Sequence, residues 1–202
     1  MNSNYLNEYI NYFDKALSVA HKKNYSLKAL ERAISYSPFF QQVEKDNEFG
    51  APIINDFTII KSLFPELDVD LNDLPSFNET LWMAESYLRI QHEFGLTFEA
   101  IFLYCPIYQM FSYFELYHEM DFSQLMKQFN NLVESKSIFA ILLEKFNYSI
   151  NYVSKKTAIP YATLSSLKTR RRDIKKMNVF HIAKIANVFN VRIETIAELQ
   201  LG

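Results

Sequence analysis

Residues 135–199 carry five short apolar stripes of helical period, joined by connections of only a few residues. Apolar side chains such as Val179 and Ile182 recur at three- and four-residue intervals, which is the spacing along one face of an α-helix. Ser149 stands where an N-cap is preferred, and Pro160 fits the first turn of the third helix because no amide proton is needed there. The order and spacing of these short helices form a constrained pattern.

The N-terminal two thirds read as a succession of further helices. Ser26 and Asp121 are suitable N-caps, and Gly95 ends a helix that begins near Ser76. Glycine occurs only 3 times and proline 6 times in 202 residues, so helix breakers are scarce throughout. The sequence therefore predicts an all-α fold.

Charge is divided unevenly along the chain. Residues 1–133 hold nine Lys or Arg against eighteen Asp or Glu, a balance of −9, whereas residues 134–202 hold twelve against five, a balance of +7. The reversal coincides with the polar segment NNLVESKS at 130–137. We predict an acidic helical domain at 1–133, for dimerisation, sensing or partner binding, and a domain with an anionic partner at 134–202.

Two segments of the C-terminal third, SINYVSKKTAIPYATLSSLKTRRRD and MNVFHIAKIANVFNVRIETIAEL, resemble the helix-turn-helix domain of the Xre family, which includes the Cro-type phage repressors. Val153 matches the core residue of helix two, and the small Ser154 matches the point where helices two and three approach closely. Ala158 stands where the family's turn usually carries glycine, which implies either a mildly strained backbone or a slightly different turn.

The resemblance implies a five-helix domain of the lambda-repressor-like type at 134–202. It also implies a sequence-specific transcriptional regulator, such as a repressor, that binds double-stranded DNA as a homodimer on inverted repeats. The recognition helix spans about 160–169 and enters the major groove. Its predicted inward face consists of Ile159, Leu164 and Leu167.

Three residues of the recognition helix match the positions that face base edges in the family: Tyr161, Ala162 and Ser166. A phenol, a methyl group and a serine hydroxyl offer few discriminating polar contacts, so we expect specificity to rest partly on DNA shape. For Tyr161, packing on its own domain is the alternative to a base contact.

A basic loop at 168–176 follows this helix directly. Contacts to phosphate release condensed counterions, so the loop is expected to govern affinity and salt dependence more than sequence choice. Together with residues beside the groove, the predicted phosphate contacts are Lys155, Lys156, Thr163, Lys168, Thr169, Arg170, Arg171, Arg172, Lys175 and Lys176. The alternative is an ordinary solvated basic surface.

Other residues give no support to catalysis. No glycine-rich phosphate loop, nucleophile motif or paired carboxylates occur, so we predict neither an enzyme nor a cofactor. His92 and His118 each adjoin a glutamate, but without the His-Glu-x-x-His spacing of a helical metal site, so no metal site is predicted. Cys105 is the single cysteine, which excludes an internal disulfide and favours a cytoplasmic protein.

No apolar run approaches the roughly 20 residues of a membrane span, and the acidic N-terminus does not read as a signal peptide.

The alternative function is an antitoxin or phage-encoded inhibitor. In that alternative, the acidic N-terminal domain binds a protein partner and the C-terminal domain autoregulates its operon. A peptide or small effector bound by residues 1–133 is a third hypothesis.

Overall fold

The structure is a computed structural model that describes residues 3–45, 56–65 and 77–197. Within these ranges every regular element is helical, so the predicted all-α fold is confirmed. The α-helices of the described ranges are α1 (Ser3–Lys22), α2 (Leu27–Tyr36), α3 (Pro38–Lys45), α4 (Asp56–Leu63), α5 (Asn78–Phe94), α6 (Phe98–Tyr104), α7 (Ile107–Tyr117), α8 (Phe122–Ser135), α9 (Ile138–Lys145), α10 (Ile150–Thr157), α11 (Tyr161–Lys168), α12 (Val179–Phe189) and α13 (Ile193–Ala197). A 3₁₀ turn, Ile174–Lys176, lies between α11 and α12.

Side-chain caps fix several helix boundaries where the sequence predicts them. Ser26, Asp121 and Ser149 each accept a hydrogen bond from a backbone N–H in the first turn of the following helix. Gly95 ends α5 in the left-handed conformation, with φ 59°, which glycine adopts without steric cost. Ser76 lies outside the described residues, and α5 starts after an N-cap residue at position 77 that makes no side-chain cap bond.

Aromatic rings fill the core of the N-terminal helices. The ring of Phe13 on α1 stacks on Tyr87 at 5.5 Å and meets Phe98 edge-on at 5.8 Å between centroids. Phe40 on α3 contacts Phe13 and Phe98 at 5.3 and 5.4 Å. All four side chains are fully buried. Since ring pairs contribute about 0.5–1.5 kcal/mol each beyond area burial, this cluster holds α1, α3, α5 and α6 together.

The apolar core continues from the N-terminal helices into the C-terminal ones. Helix α6 packs against both α9 and α13. Glu99 on α6 accepts hydrogen bonds from the Thr195 hydroxyl at 2.7 Å and from the Arg192 backbone N–H at 2.9 Å. The two parts of the chain therefore pack directly against each other, and their division into two domains at residue 133 stays a prediction.

Candidate nucleic-acid interface

The turn between α10 and α11 is closed by a left-handed residue and by side-chain hydrogen bonds. Ala158 has φ 58°, and its N–H donates to the Ser154 carbonyl at 2.9 Å. The Ser154 hydroxyl donates to the Ile159 carbonyl at 2.6 Å, which draws the two helices together. Of the two alternatives for an alanine in this turn, the structure has the strained backbone, because this left-handed conformation costs a residue with a Cβ about 1–2 kcal/mol.

Helix α11 buries one face and exposes the other. Leu164 and Leu167 are buried, as is Ile159 in the preceding turn, which confirms the predicted inward face. They pack against a core that includes Val153 of α10. Because that seam fixes the rotation of the helix, the residues on its opposite side face solvent.

The three predicted base-facing residues all lie on α11, with different exposure. Tyr161 is 52% exposed, and its hydroxyl makes no hydrogen bond to any residue that the structure describes. Ala162 is exposed. Ser166 is half-buried, and its hydroxyl donates to the Ala162 carbonyl at 2.8 Å. That bond engages the only proton of the hydroxyl and leaves its lone pairs as acceptors.

The flanking residues predicted to contact phosphate lie on α10 and α11. Lys155 and Lys156 are exposed, and Thr163 is half-buried. The Lys156 ammonium group lies 5.8 Å from the ring centroid of Tyr152, within cation–π range.

The basic loop is an ordered turn with an exposed cationic surface. The Arg172 N–H donates to the Ser166 carbonyl at 3.2 Å, and Asp173 accepts from the Lys175 N–H at 2.9 Å, which caps the 3₁₀ turn. The Thr169 hydroxyl donates to a carbonyl of the last turn of α11. Every cation of the loop is exposed: Lys168, Arg170, Arg171, Arg172, Lys175 and Lys176.

Arg170 differs from its neighbours in where its guanidinium group lies. Its Nη2 is 3.0 Å from the Tyr104 hydroxyl oxygen and 3.0 Å from the Lys136 carbonyl oxygen. The sequence gives no signal for this contact, because Tyr104 and Arg170 are 66 positions apart. This cation is therefore held against α6 and the α8–α9 junction.

Two apolar residues at the start of α12 are more exposed than the sequence predicts. Val179 belongs to the apolar stripe that predicts this helix but is 59% exposed. Phe180, which sequence reasoning missed, is 72% exposed. The first turn of α12 extends past the core that buries Ile182 and Ile185 one and two turns later. An apolar pair thus borders the basic loop.

The remaining candidate residues have local roles. The His118 ring stacks on Phe114 at 4.3 Å, and its Nδ1 lies 2.7 Å from the Phe114 carbonyl oxygen. Among the described residues, no group of three or more potential metal ligands is found. Cys105 is fully buried, and this burial raises the pKa of its thiol to about 12. No helix in the described ranges has the length and apolar character to cross a bilayer.

Comparison with known protein families gives a match in the C-terminal third. The family model of the Cro/C1-type HTH DNA-binding domain matches residues 140–201, which confirms the resemblance of the C-terminal third. The matched segment contains α10, the Ala158 turn, α11 and the basic loop. No curated protein and no solved structure matches the chain.

Proposed function

Because residues 140–201 match the family model of the Cro/C1-type HTH DNA-binding domain, we propose that the chain is a sequence-specific transcriptional regulator. One observation carries the proposal: α11 exposes the face opposite its buried seam, and six exposed cations follow within nine residues. This arrangement suits a recognition helix in the major groove with a basic loop beside the phosphate backbone.

The two surfaces have different tasks in this proposal. Tyr161, Ala162 and Ser166 face base edges, and Ser166 acts as an acceptor because its proton is bonded within α11. Adenine N6 and cytosine N4 are the donors it can meet in the major groove. The basic loop and the flanking Lys155 and Lys156 supply affinity that depends on salt.

The regulator is proposed to act as a homodimer through its N-terminal helices. Three apolar residues in α7 and the turn after it are exposed by more than half, which favours a protein contact there: Tyr108, Leu116 and Met120. Light scattering of Leu116→Asp is expected to give a monomer, whereas the matched Phe180→Asp, on the helix-turn-helix domain, stays dimeric. A monomeric wild type would remove this part of the proposal.

The second candidate is a protein partner for the acidic N-terminal part, as in an antitoxin or an inhibitor that autoregulates its operon. The balance of −9 in residues 1–133 favours it, because such a surface complements a basic partner and not DNA. Cross-linking of the full chain in its native cells would test it. Recovery of a basic protein supports this candidate, and recovery of the chain's own dimer alone argues against it.

Selection from a random duplex library at a stated salt concentration tests the leading proposal. The full chain is expected to enrich one inverted-repeat motif with half-sites about one helical turn apart. Ala162→Asp, which places a carboxylate on the exposed face of α11, is expected to abolish enrichment in a folded protein. Enrichment of no motif by the wild type would contradict sequence-specific binding.

A further inference from the structure

We propose that Arg170 is a positioning residue for DNA binding. It holds the basic loop against α6 and the α8–α9 junction and does not itself contact phosphate. The inference rests on the proposed function, since it presumes that this loop meets DNA. Tyr104 then also supports the DNA-binding surface. This residue belongs to the N-terminal helices and lies outside the matched domain in sequence.

The contact is a closed triangle of hydrogen bonds. Arg170 Nη2 donates to the Tyr104 hydroxyl and to the Lys136 carbonyl, each at 3.0 Å, and the Tyr104 hydroxyl donates to the same carbonyl at 3.1 Å. The Tyr104 side chain is buried, with 5% exposure. The guanidinium group is therefore directed toward the protein body, and bonds to a charged donor in such a setting are stronger than ordinary ones.

The backbone at Arg170 supports the same conclusion. Its φ of 55° lies in the left-handed region, which is disfavoured for a residue with a Cβ. Such conformations persist where the surroundings determine them. A second tie lies nearby, because the Ser137 hydroxyl donates to the Lys168 carbonyl at 3.2 Å. The end of α11 is thus fastened to the α8–α9 junction at two points.

The neighbouring cations have no comparable anchor. Arg171 and Lys175 are exposed, and their side chains form no hydrogen bond or ion pair with any residue in the described ranges. They are free to meet phosphate, whereas Arg170 is engaged. Holding the loop in its bound conformation before DNA arrives lowers the ordering cost of binding, which raises affinity without adding a phosphate contact.

The experiment measures duplex affinity against salt concentration for the full chain and five variants. Arg171→Ala is expected to reduce the magnitude of the negative slope of log K, the association constant, against log salt by about 0.9, the value for one lost phosphate contact. Arg170→Ala is expected to weaken binding about tenfold at every salt concentration with the slope unchanged. Tyr104→Phe, which removes one oxygen atom and no charge, is expected to weaken binding about fivefold with the same slope.

The double variant Tyr104→Phe/Arg170→Ala is expected to bind as Arg170→Ala does, because both changes remove one interaction. Tyr87→Phe is the matched control: it removes another buried tyrosine hydroxyl bond, to the Cys105 carbonyl at 3.0 Å, and is expected to leave DNA affinity unchanged. The inference is overturned if Arg170→Ala makes the salt slope less steep, as Arg171→Ala does. It is also overturned if Tyr104→Phe binds DNA like the wild type. If the wild type binds no duplex, the proposed function fails as well.

Discussion

Arg192, which precedes α13, donates a hydrogen bond of 2.7 Å to each of the two carboxylate oxygens of Glu44 on α3. Glu44 is 1% exposed in its side chain and Arg192 is 13% exposed. Burial disfavours the charged guanidinium, but the hydrogen bonds and charge of Glu44 outweigh this and raise the pKa of Arg192. A buried, bidentate ion pair therefore joins the N-terminal helices to the helix-turn-helix domain.

Removing one partner of this pair is expected to cost more than removing both. Glu44→Ala leaves the Arg192 charge without its main partner, so the free energy of unfolding should fall by about 3–5 kcal/mol. Glu44→Leu/Arg192→Met replaces the pair with apolar groups and should lose less than the single change. Urea denaturation of both variants measures this. A double variant that loses as much stability as Glu44→Ala, or more, would contradict this coupling of the two side chains.

Ala158→Gly is expected to stabilise the protein. The φ of Ala158, 58°, suits glycine. The free energy of unfolding should therefore rise by about 1 kcal/mol, despite the greater freedom of glycine in the unfolded chain. Ala183→Gly, inside α12, is the control and should lose about 1 kcal/mol. Thermal and urea unfolding give both values. Equal losses in the two variants would mean that the turn conformation carries no strain.

Ser166 and Tyr161 are expected to affect specificity in different ways. Ser166→Ala should relax the preference at one A·T or C·G position by about 0.5–1.5 kcal/mol, because one hydrogen-bond acceptor is lost. Tyr161→Phe should preserve binding if the ring packs on a thymine methyl, and should lose discrimination only if the hydroxyl reads a base. Library selection with Ser166→Ala, Tyr161→Phe and Tyr161→Ala distinguishes these results. An unchanged motif in Ser166→Ala and Tyr161→Ala would remove both residues from base readout.

Cys105 is expected to be inert in the folded protein at neutral pH. Burial raises the pKa of its thiol to about 12 from 9.0, so the reactive thiolate is absent at pH 8. Because the unfolded chain releases this proton first, stability should fall as pH rises above about 9, and Cys105→Ala should remove that part of the decline. Ellman's reagent should react only after denaturant is added. Full reaction of the native protein within seconds would contradict the burial.

Local patterns in the sequence predict local structure well. The caps at Ser149 and Asp121 and the buried seam of α11 follow from spacing alone, because each depends on residues within a few turns. Periodicity gives the angle of a side chain around the helix axis but not how far the core extends along it. That is why Val179, in phase with buried residues, is nevertheless exposed.

Contacts between distant segments carry no such signal. Glu44 and Arg192 are 148 positions apart, and nothing in either local sequence indicates the other. The same holds for Tyr104 and Arg170. The sequence therefore predicts that the basic loop is cationic. Only the fold shows that the Arg170 side chain is hydrogen-bonded to the protein body, whereas those of Arg171 and Lys175 are not bonded to any described residue.

The most direct test of the central claim is the salt dependence of duplex DNA binding by the full chain, with and without the free cations of the basic loop. Fluorescence anisotropy with the selected site should give a steep negative slope for the wild type. Arg171→Ala/Arg172→Ala/Lys175→Ala should reduce its magnitude by about 2.7, which corresponds to three lost phosphate contacts, while the protein stays folded. A triple variant with the affinity and slope of the wild type would contradict the assignment of this loop to DNA.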